Sequence, residues 1–429
     1  MAGGSEVADS LKILVVSQFF TPEMGAPAAR FHDFGRLLVE RGHEVTLLTG
    51  FSNSPAGIVP EAYRGRLRMH EEIDGVQVRR VWLYASPRLS TLTKSLGFAS
   101  FAADASLSAL FANLSADVVI ATSPPPTVAI PGILAARRLR AGLVVDIRDI
   151  WPEAILQSGR LRSRTLVRAL EAVERRAYQT ADAITVVTEG KRARLIEKGV
   201  PPEKIEVLPN GVDLSRFASF GKDEAPPSVL QEHGVDPGRF LVLYAGVFNP
   251  PQGLDVLLDA MRALTTREPE LAEAVQLVLV GDGSQRERLQ ARARREGLSQ
   301  LVKFLPIQPR EGIPSLLRAA DALAVTLRPR RDVHTIPSKI YECLASGRPV
   351  LVSADGAPAE IIAESGAGLA SPAGDAAALA DSLHTLVHAP DLRREMGRKG
   401  KAFARGSDRR LLVASLETTL QRVVARRQR

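Results

Sequence analysis

The chain has 429 residues, 45% of them hydrophobic and 24% charged, enough to bury a sizeable core and, at roughly 100–200 residues per domain, to form two domains or three. Its net charge of +8 favours phosphate ligands or an anionic membrane surface, and no recognised nucleic-acid-binding module accompanies it. A single cysteine, Cys343, excludes an intrachain disulfide and a cysteine-built metal site, and the seven histidines are scattered without an HExxH motif, so no metal is expected and a reducing, cytoplasmic compartment fits.

Residues 1–10, MAGGSEVADS, read as a disordered polar tail. The apolar run after Lys12 lacks the length and cleavage site of a signal peptide. No stretch reaches the roughly 18 apolar residues of a bilayer span. Residues 11–17, LKILVVS, form a short apolar run typical of a buried parallel strand. After the loop FFTPEMGAP, the next segment places Phe31, Phe34, Leu37 and Leu38 on one side of a helix that Gly42 ends. HEVTLLT is the following strand, completing a βαβ unit. Further strands are expected in VQVRRV, DVVIAT, LVVDI, DAITVVT and KIEVLPN, with helices around Ala129–Arg140, Ser163–Tyr178 and Gly190–Lys198. The first domain thus spans 11–210.

Residues 211–238 are polar and contain proline, which predicts a linker. A second alternation of strands and helices fills 239–400, from FLVLYAG through VQLVLVG, LVKFLP and ADALAVTL to RPVLVS. Residues 401–429 predict a basic amphipathic helix, with Leu411, Leu412, Leu416, Leu420 and Val423 at helical spacing, that crosses back to the first domain or touches a membrane. Strands alternating with helices imply an α/β protein: two Rossmann-like βαβ domains facing across a cleft at the carboxyl ends of their sheets.

The segment HTIPSKIYECLASGRPVLVSADGAPAEII carries the most chemistry. Ser338 is a candidate N-cap, and the helix start behind it offers free amides and partial positive charge to a phosphate. Lys339 and Glu342 lie three apart and share a face, so Lys339 can meet a diphosphate and Glu342 ribose hydroxyls; a surface ion pair is the alternative.

This segment resembles the nucleotide-sugar-binding helix of the retaining glycosyltransferase family 4. PEMGAPAARFHDFGRLLVERGHEVTLLTG, LPNGVDLSRF and VLVGDGSQRERLQ are similar to that family's N-terminal signature, interdomain junction and second-domain strand–turn–helix, so the resemblance covers about residues 11–400. ATSPPP and DIRDIWPE resemble the subgroup of bacterial N-acetyl-L-fucosamine and colanic-acid glycosyltransferases. The resemblance implies a GT-B fold, a nucleotide-sugar donor held mainly by the second domain, retention of configuration, and no obligatory cofactor.

The resemblance carries ribose recognition onto Glu342, and the candidate donor contacts together are Gly25, Ala26, Gly246, Gly281, Gly283, Ile307, Arg328, His334, Ser338, Lys339 and Glu342. Asp149, Lys339 and Glu342 are the candidate catalytic residues, with Arg148 beside Asp149. Arg30, Trp151 and Glu153 are candidates for the acceptor side, and Glu360 is a further candidate at the donor site. The chain departs from the family pattern at His334, where the first of two paired glutamates is usual. It departs again at Val247 and Gln252, where an arginine and a lysine usually face the diphosphate. Positive charge must then come from Lys339 or Arg328.

Residues 160–176 and 86–114 read as amphipathic helices able to lie on an anionic membrane, with an ordinary packed helix pair as the alternative. The expected function is a hexosyltransferase that moves a hexose-type sugar, N-acetylamino or deoxy forms included, from a UDP-sugar to a lipid-linked or polysaccharide-precursor acceptor. A polyprenyl-phosphate-linked acceptor implies a peripheral protein on the inner face of the cell membrane. Two alternatives stay open: a soluble small-molecule acceptor, and a non-catalytic nucleotide-sugar-binding protein.

Overall fold

The computed structural model describes residues 10–23, 25–53, 57–88, 90–153, 156, 163–218, 227–329 and 334–428. The chain divides into two compact units, residues 1–210 with 409–429, and residues 211–408.

The first unit is built on an eight-stranded sheet. Its strands are β1 (Lys12–Val16), β2 (Glu44–Gly50), β3 (Arg68–Ile73), β4 (Val76–Val81), β5 (Val118–Ser123), β6 (Gly142–Ile147), β7 (Ala183–Val186) and β8 (Ile205–Val207), in the order β3-β4-β2-β1-β5-β6-β7-β8. Every neighbouring pair is parallel except β3 with β4. The antiparallel pair was not anticipated, because RMHEEI is polar and forms a half-exposed edge. It is joined by a two-residue turn at Asp74 and Gly75, both with positive φ (49° and 79°), the geometry for which an Asp-Gly pair is suited.

Period-two alternation sends the strand side chains to opposite faces. Leu14, Val16, Val119, Leu143 and Val145 enter one core cluster. Ile13, Val15, Leu47, Ile120 and Val144 enter another. That second face is covered by the helix Ala26–Glu40, through Phe31, Phe34, Leu37 and Leu38, and by the helix Arg409–Gln428, through Leu412, Val413, Leu416, Leu420 and Val423. The terminal helix is fastened by ion pairs from Arg409 to Asp33 and from His43 Nε2 to Glu417 Oε1 at 2.9 Å. Leu411, expected on the buried stripe, is instead 59% exposed.

The second unit holds a six-stranded parallel sheet: β9 (Phe240–Ala245), β10 (Val275–Val280), β11 (Val302–Leu305), β12 (Ala322–Thr326), β13 (Val350–Ser353) and β14 (Gly368–Ser371), in the order β11-β10-β9-β12-β13-β14. The expected linker lies within this unit, and its Val212, Leu230 and Val235 join the core beneath Leu241 and Leu243. The unit ends with the helix Pro390–Arg405, separate from the helix Arg409–Gln428 that follows. Strand order reverses beside β1 in the first sheet and beside β9 in the second. Ligands of open α/β sheets bind at such points, outside the carboxyl ends of the strands. Among the described residues no helix is long and apolar enough to cross a membrane.

Leu416, only 2% exposed, fills the cover of the first sheet. Leu416→Ala is expected to lower the stability of this unit by about 2–5 kcal/mol in urea unfolding. Leu411→Ala, on the exposed side of the same helix, is expected to change it by about 0.5 kcal/mol or less.

Candidate active site

In the second unit the loops after β9 and β10 pack in a way that only glycine permits. Gly246, Gly281 and Gly283 have φ of 150°, 140° and 150°. A Cβ on Gly281 would stand 1.9 Å from the Gly246 carbonyl oxygen, and one on Gly283 would stand 2.7 Å from that of Phe248. Backbone hydrogen bonds lock the loops together: Gly246 N–H to Val280 O (2.9 Å), Phe248 N–H to Asp282 O (2.7 Å) and Gln285 N–H to Phe248 O (2.8 Å). Arg286 adds a donor to Leu305 O at 2.9 Å and another to Gly281 O.

The helix Lys339–Ser346 starts against this pair of loops. Lys339 Nζ lies 3.7 Å from the centre of the Tyr244 ring. It sits directly beneath Gly246, where a Cβ would approach it to 2.6 Å. Part of the Lys339 residue remains accessible, yet its ammonium is buried and, among the described residues, has no hydrogen-bond partner. Burial lowers its pKa to about 7, against smaller upward pulls from Cys343 and Glu342. Burial likewise pushes the Cys343 thiol up to about 12. Tyr244 was not foreseen. Its hydroxyl donates to Val247 O at 2.9 Å, with Gln252 Oε1 at 3.1 Å, while the Gln252 carbonyl accepts from Thr326 Oγ1 at 2.6 Å. Gln252 therefore braces the loop, and Val247 stands partly exposed without charge.

Glu342 is half-buried in the first turn of the same helix. Ser338 occupies the N-cap position but makes no side-chain capping bond, because its own backbone is already helical, at φ −57° and ψ −29°. Arg328 is exposed and lines a shallow cavity of 190 Å³ with Gly253, Gln285 and Arg288, its backbone N–H bound to Pro251 O at 3.0 Å. Ile307 follows β11 and is exposed; His334 lies in an exposed turn, and Glu360 is exposed in the first turn of the helix Ala357–Ser365.

In the first unit Asp149 follows β6, and its Oδ1 lies 3.1 Å from the buried Lys191 Nζ, which also donates to Arg148 O at 2.6 Å. Arg148 points to Thr122 Oγ1 and the Pro124 carbonyl, both at 3.1 Å, and burial brings its pKa down to about 10. The direct partner of Asp149 is thus Lys191. Trp151 packs edge-on against Phe98, with ring centres 5.9 Å apart. Glu153 is gripped by Arg194 and Lys198; burial raises its pKa, but hydrogen bonds from those two cations outweigh it and hold the carboxyl below its usual range.

Arg30 must be reassigned. Its side chain is fully buried and donates to Asp146 Oδ1 (3.2 Å), Leu208 O (2.9 Å) and Pro209 O (2.6 Å), so it braces the exit from β8 and does not reach an acceptor. Gly25 caps the helix Ala26–Glu40 with φ 142°, accepting from the Ala29 N–H at 3.0 Å; Ala26 is the first residue of that helix.

The helix Thr91–Phe111 presents an unbroken apolar stripe to solvent: Leu92 (69% exposed), Leu96, Ala99, Ala103, Leu107, Leu110 and Phe111 (77% exposed). Trp82 and Tyr84 are exposed beside it, their backbone N–H groups bound to Asp104 and Ser100 of the helix, both at 2.8 Å. In the helix Arg164–Thr180, Leu166 is exposed along with Arg164, Arg168, Arg175 and Arg176; residues 160–162 lie outside the described residues.

Two units, each with a Rossmann-like parallel-sheet core, are the architecture of the GT-B glycosyltransferases. Comparison with known proteins agrees. Residues 25–211 match the glycosyl transferase 4-like domain, and residues 228–403 match the glycosyl transferases group 1 domain. The chain is 27% identical over 354 residues to the putative colanic acid biosynthesis glycosyl transferase WcaI of Escherichia coli K12, covering 80% of this chain and 84% of that one. It is 32% identical over 256 residues to a D-inositol 3-phosphate glycosyltransferase of Salinispora tropica, covering 58% of this chain and 51% of that one. Among solved structures, Anabaena HepE in complex with UDP and glucose superposes with a TM-score of 0.69 at 21% identity, over 96% of this chain and 99% of the other. WaaG, a glycosyltransferase involved in lipopolysaccharide biosynthesis, gives 0.69 at 20% identity, over 95% and 99%. The chain belongs to glycosyltransferase family 4 and is a glycosyltransferase.

Because Gly281 has no room for a Cβ, Gly281→Ala must part the two loops. It is expected to cost about 1–3 kcal/mol of stability in thermal unfolding, and an unchanged transition would contradict the packing described.

Proposed function

We propose that the chain transfers a hexose-type sugar, with retention of configuration, from a UDP-sugar to a lipid-linked or polysaccharide-precursor acceptor. The observation that carries this reading is the unpartnered Lys339 ammonium beneath Gly246, at the start of a helix that also bears Glu342. Buried polar groups are nearly always hydrogen-bonded, so a cation without an acceptor invites an anionic ligand. Lys339 and the free amides of its helix meet the diphosphate, and Glu342 accepts from ribose hydroxyls. In transfer with retention by front-face attack, the chief demand is to stabilise the charge growing on the leaving diphosphate. Lys339 is placed for that, and Asp149, paired with Lys191, lies on the acceptor side. Support for a UDP-sugar comes from HepE, whose solved complexes contain UDP, glucose and UDP-glucose. Support for a polysaccharide precursor comes from WcaI, named for colanic acid biosynthesis.

A polyprenyl-phosphate-linked acceptor brings the enzyme to the inner face of the cell membrane. The uncharged stripe from Leu92 to Phe111 is suited to enter the bilayer boundary, with Trp82 and Tyr84 at the headgroup level and Arg88 and Lys94 near anionic lipid.

Two measurements test this reading. Glu342→Ala is expected to weaken UDP binding by about tenfold or more in titration calorimetry, as loss of a charge-assisted hydrogen bond predicts; unchanged affinity would remove Glu342 from the donor site. Flotation with anionic vesicles should carry the wild type upward and leave Leu92→Asp/Phe111→Asp behind. A wild-type chain that stays at the bottom would point to a soluble acceptor.

A further inference from the structure

Among the described residues the buried Lys339 ammonium has no hydrogen-bond partner, whereas Arg286 and Arg348 of the same unit donate to backbone carbonyls. Among the described residues, the titratable groups facing it are Tyr244 from β9 and, on its own helix, Glu342 and Cys343. Tyr244 stays protonated, because burial pushes its pKa up. Cys343, at about 12, is a neutral thiol near neutrality. Glu342 acts on the amine only through space. The Tyr244 ring faces the ammonium at 3.7 Å but supplies no acceptor lone pair. Burial therefore decides the balance and brings the amine to about 7.

The approach is equally specific. Gly246 lets Lys339 Nζ and the Tyr244 hydroxyl pack directly against its backbone, where a Cβ would stand 2.6 Å from Nζ and 3.3 Å from the hydroxyl. The amine thus lies immediately beneath the loop backbone, and a small shift of the Lys339 side chain would bring it to an anionic oxygen laid against Gly246. The residues that would otherwise bring cations to this loop, Val247 and Gln252, are neutral, and Gln252 is held by Thr326 and Tyr244.

Resting on the donor-site reading, we propose that Lys339 is a proton-linked phosphate contact: above neutral pH the amine takes up one proton from solvent as the donor diphosphate binds, and the resulting ammonium pairs with a phosphate oxygen. The balance is one amine, one proton and one diphosphate anion giving one ion pair, with no covalent bond of the donor broken. The sign follows from linkage. The diphosphate favours the charged form, so the bound lysine titrates higher than the free one. Below the free pKa of about 7 the lysine is already charged and affinity is flat. Above it, affinity falls toward about tenfold per pH unit until the bound form titrates.

The experiment is titration calorimetry of the full chain with UDP-, GDP- and dTDP-glucose in buffers of different ionisation enthalpy. These diphosphate diesters neither gain nor lose a proton near neutrality. At about pH 8.5 wild-type protein should take up at least about half a proton per donor bound, and at about pH 6 close to none. Lys339→Met should bind more weakly, with no uptake at either pH. Binding without uptake at the higher pH overturns this inference and leaves the donor site standing. Uptake that persists in Lys339→Met assigns the proton elsewhere and overturns it too. Failure of all three sugar nucleotides to bind overturns the donor site and this inference together. Should Lys339→Met fail to fold, wild-type uptake and its pH dependence still decide.

Discussion

The contact on which the candidate site of the second unit depends is Lys339 against Tyr244 under Gly246. A cation–π contact contributes about 2 kcal/mol at best when desolvated, whereas withdrawing a charge from water costs several kcal/mol even after relaxation. The contact alone does not stabilise a buried ammonium, which is why the amine is weakened rather than fully charged. The surrounding loops are fixed so tightly that this arrangement persists. Gly281 packs on Gly246, Gly283 on Phe248, and Arg286 ties the ends of β10 and β11. A rigid glycine frame holds one cation in a fixed place, and on the proposed reading little reorganisation is left for binding a diphosphate there.

The first unit shows the opposite use of buried charge. Arg30 is matched by Asp146 and two carbonyl oxygens, Arg409 by Asp33, and Lys191 by Asp149 and the Arg148 carbonyl. Such paired networks specify a packing arrangement. Here they hold the end of β8, the start of the terminal helix and the loop after β6 against one another. Asp149 differs from the rest in keeping its carboxylate partly accessible. That combination of a fixed orientation and an open face suits a residue that meets substrate.

Much of this was readable before any coordinates. Continuous apolar runs such as LKILVVS and VQLVLVG named the parallel strands, because a strand buried on both faces needs no alternation. β3 escaped, since RMHEEI is an edge strand with one wet face, although the Asp-Gly turn beside it was a usable signal. Residues 211–238 looked like a linker because their composition is polar, yet Val212, Leu230 and Val235 enter the core of the second unit, with Leu214, Phe217 and Val229 packed against it. Arg30 looked available because sequence shows residue type and not depth. Lys339 was legible as a cation at a helix start, but its burial over Tyr244 depends on a strand far upstream in the chain.

The most direct measurement of the central claim is a crystal structure of the chain with UDP bound. The account predicts a phosphate oxygen within about 3.2 Å of Lys339 Nζ, lying against Gly246, with Glu342 on the ribose. A diphosphate held elsewhere, with Lys339 still turned to Tyr244 and no oxygen near it, would contradict the account.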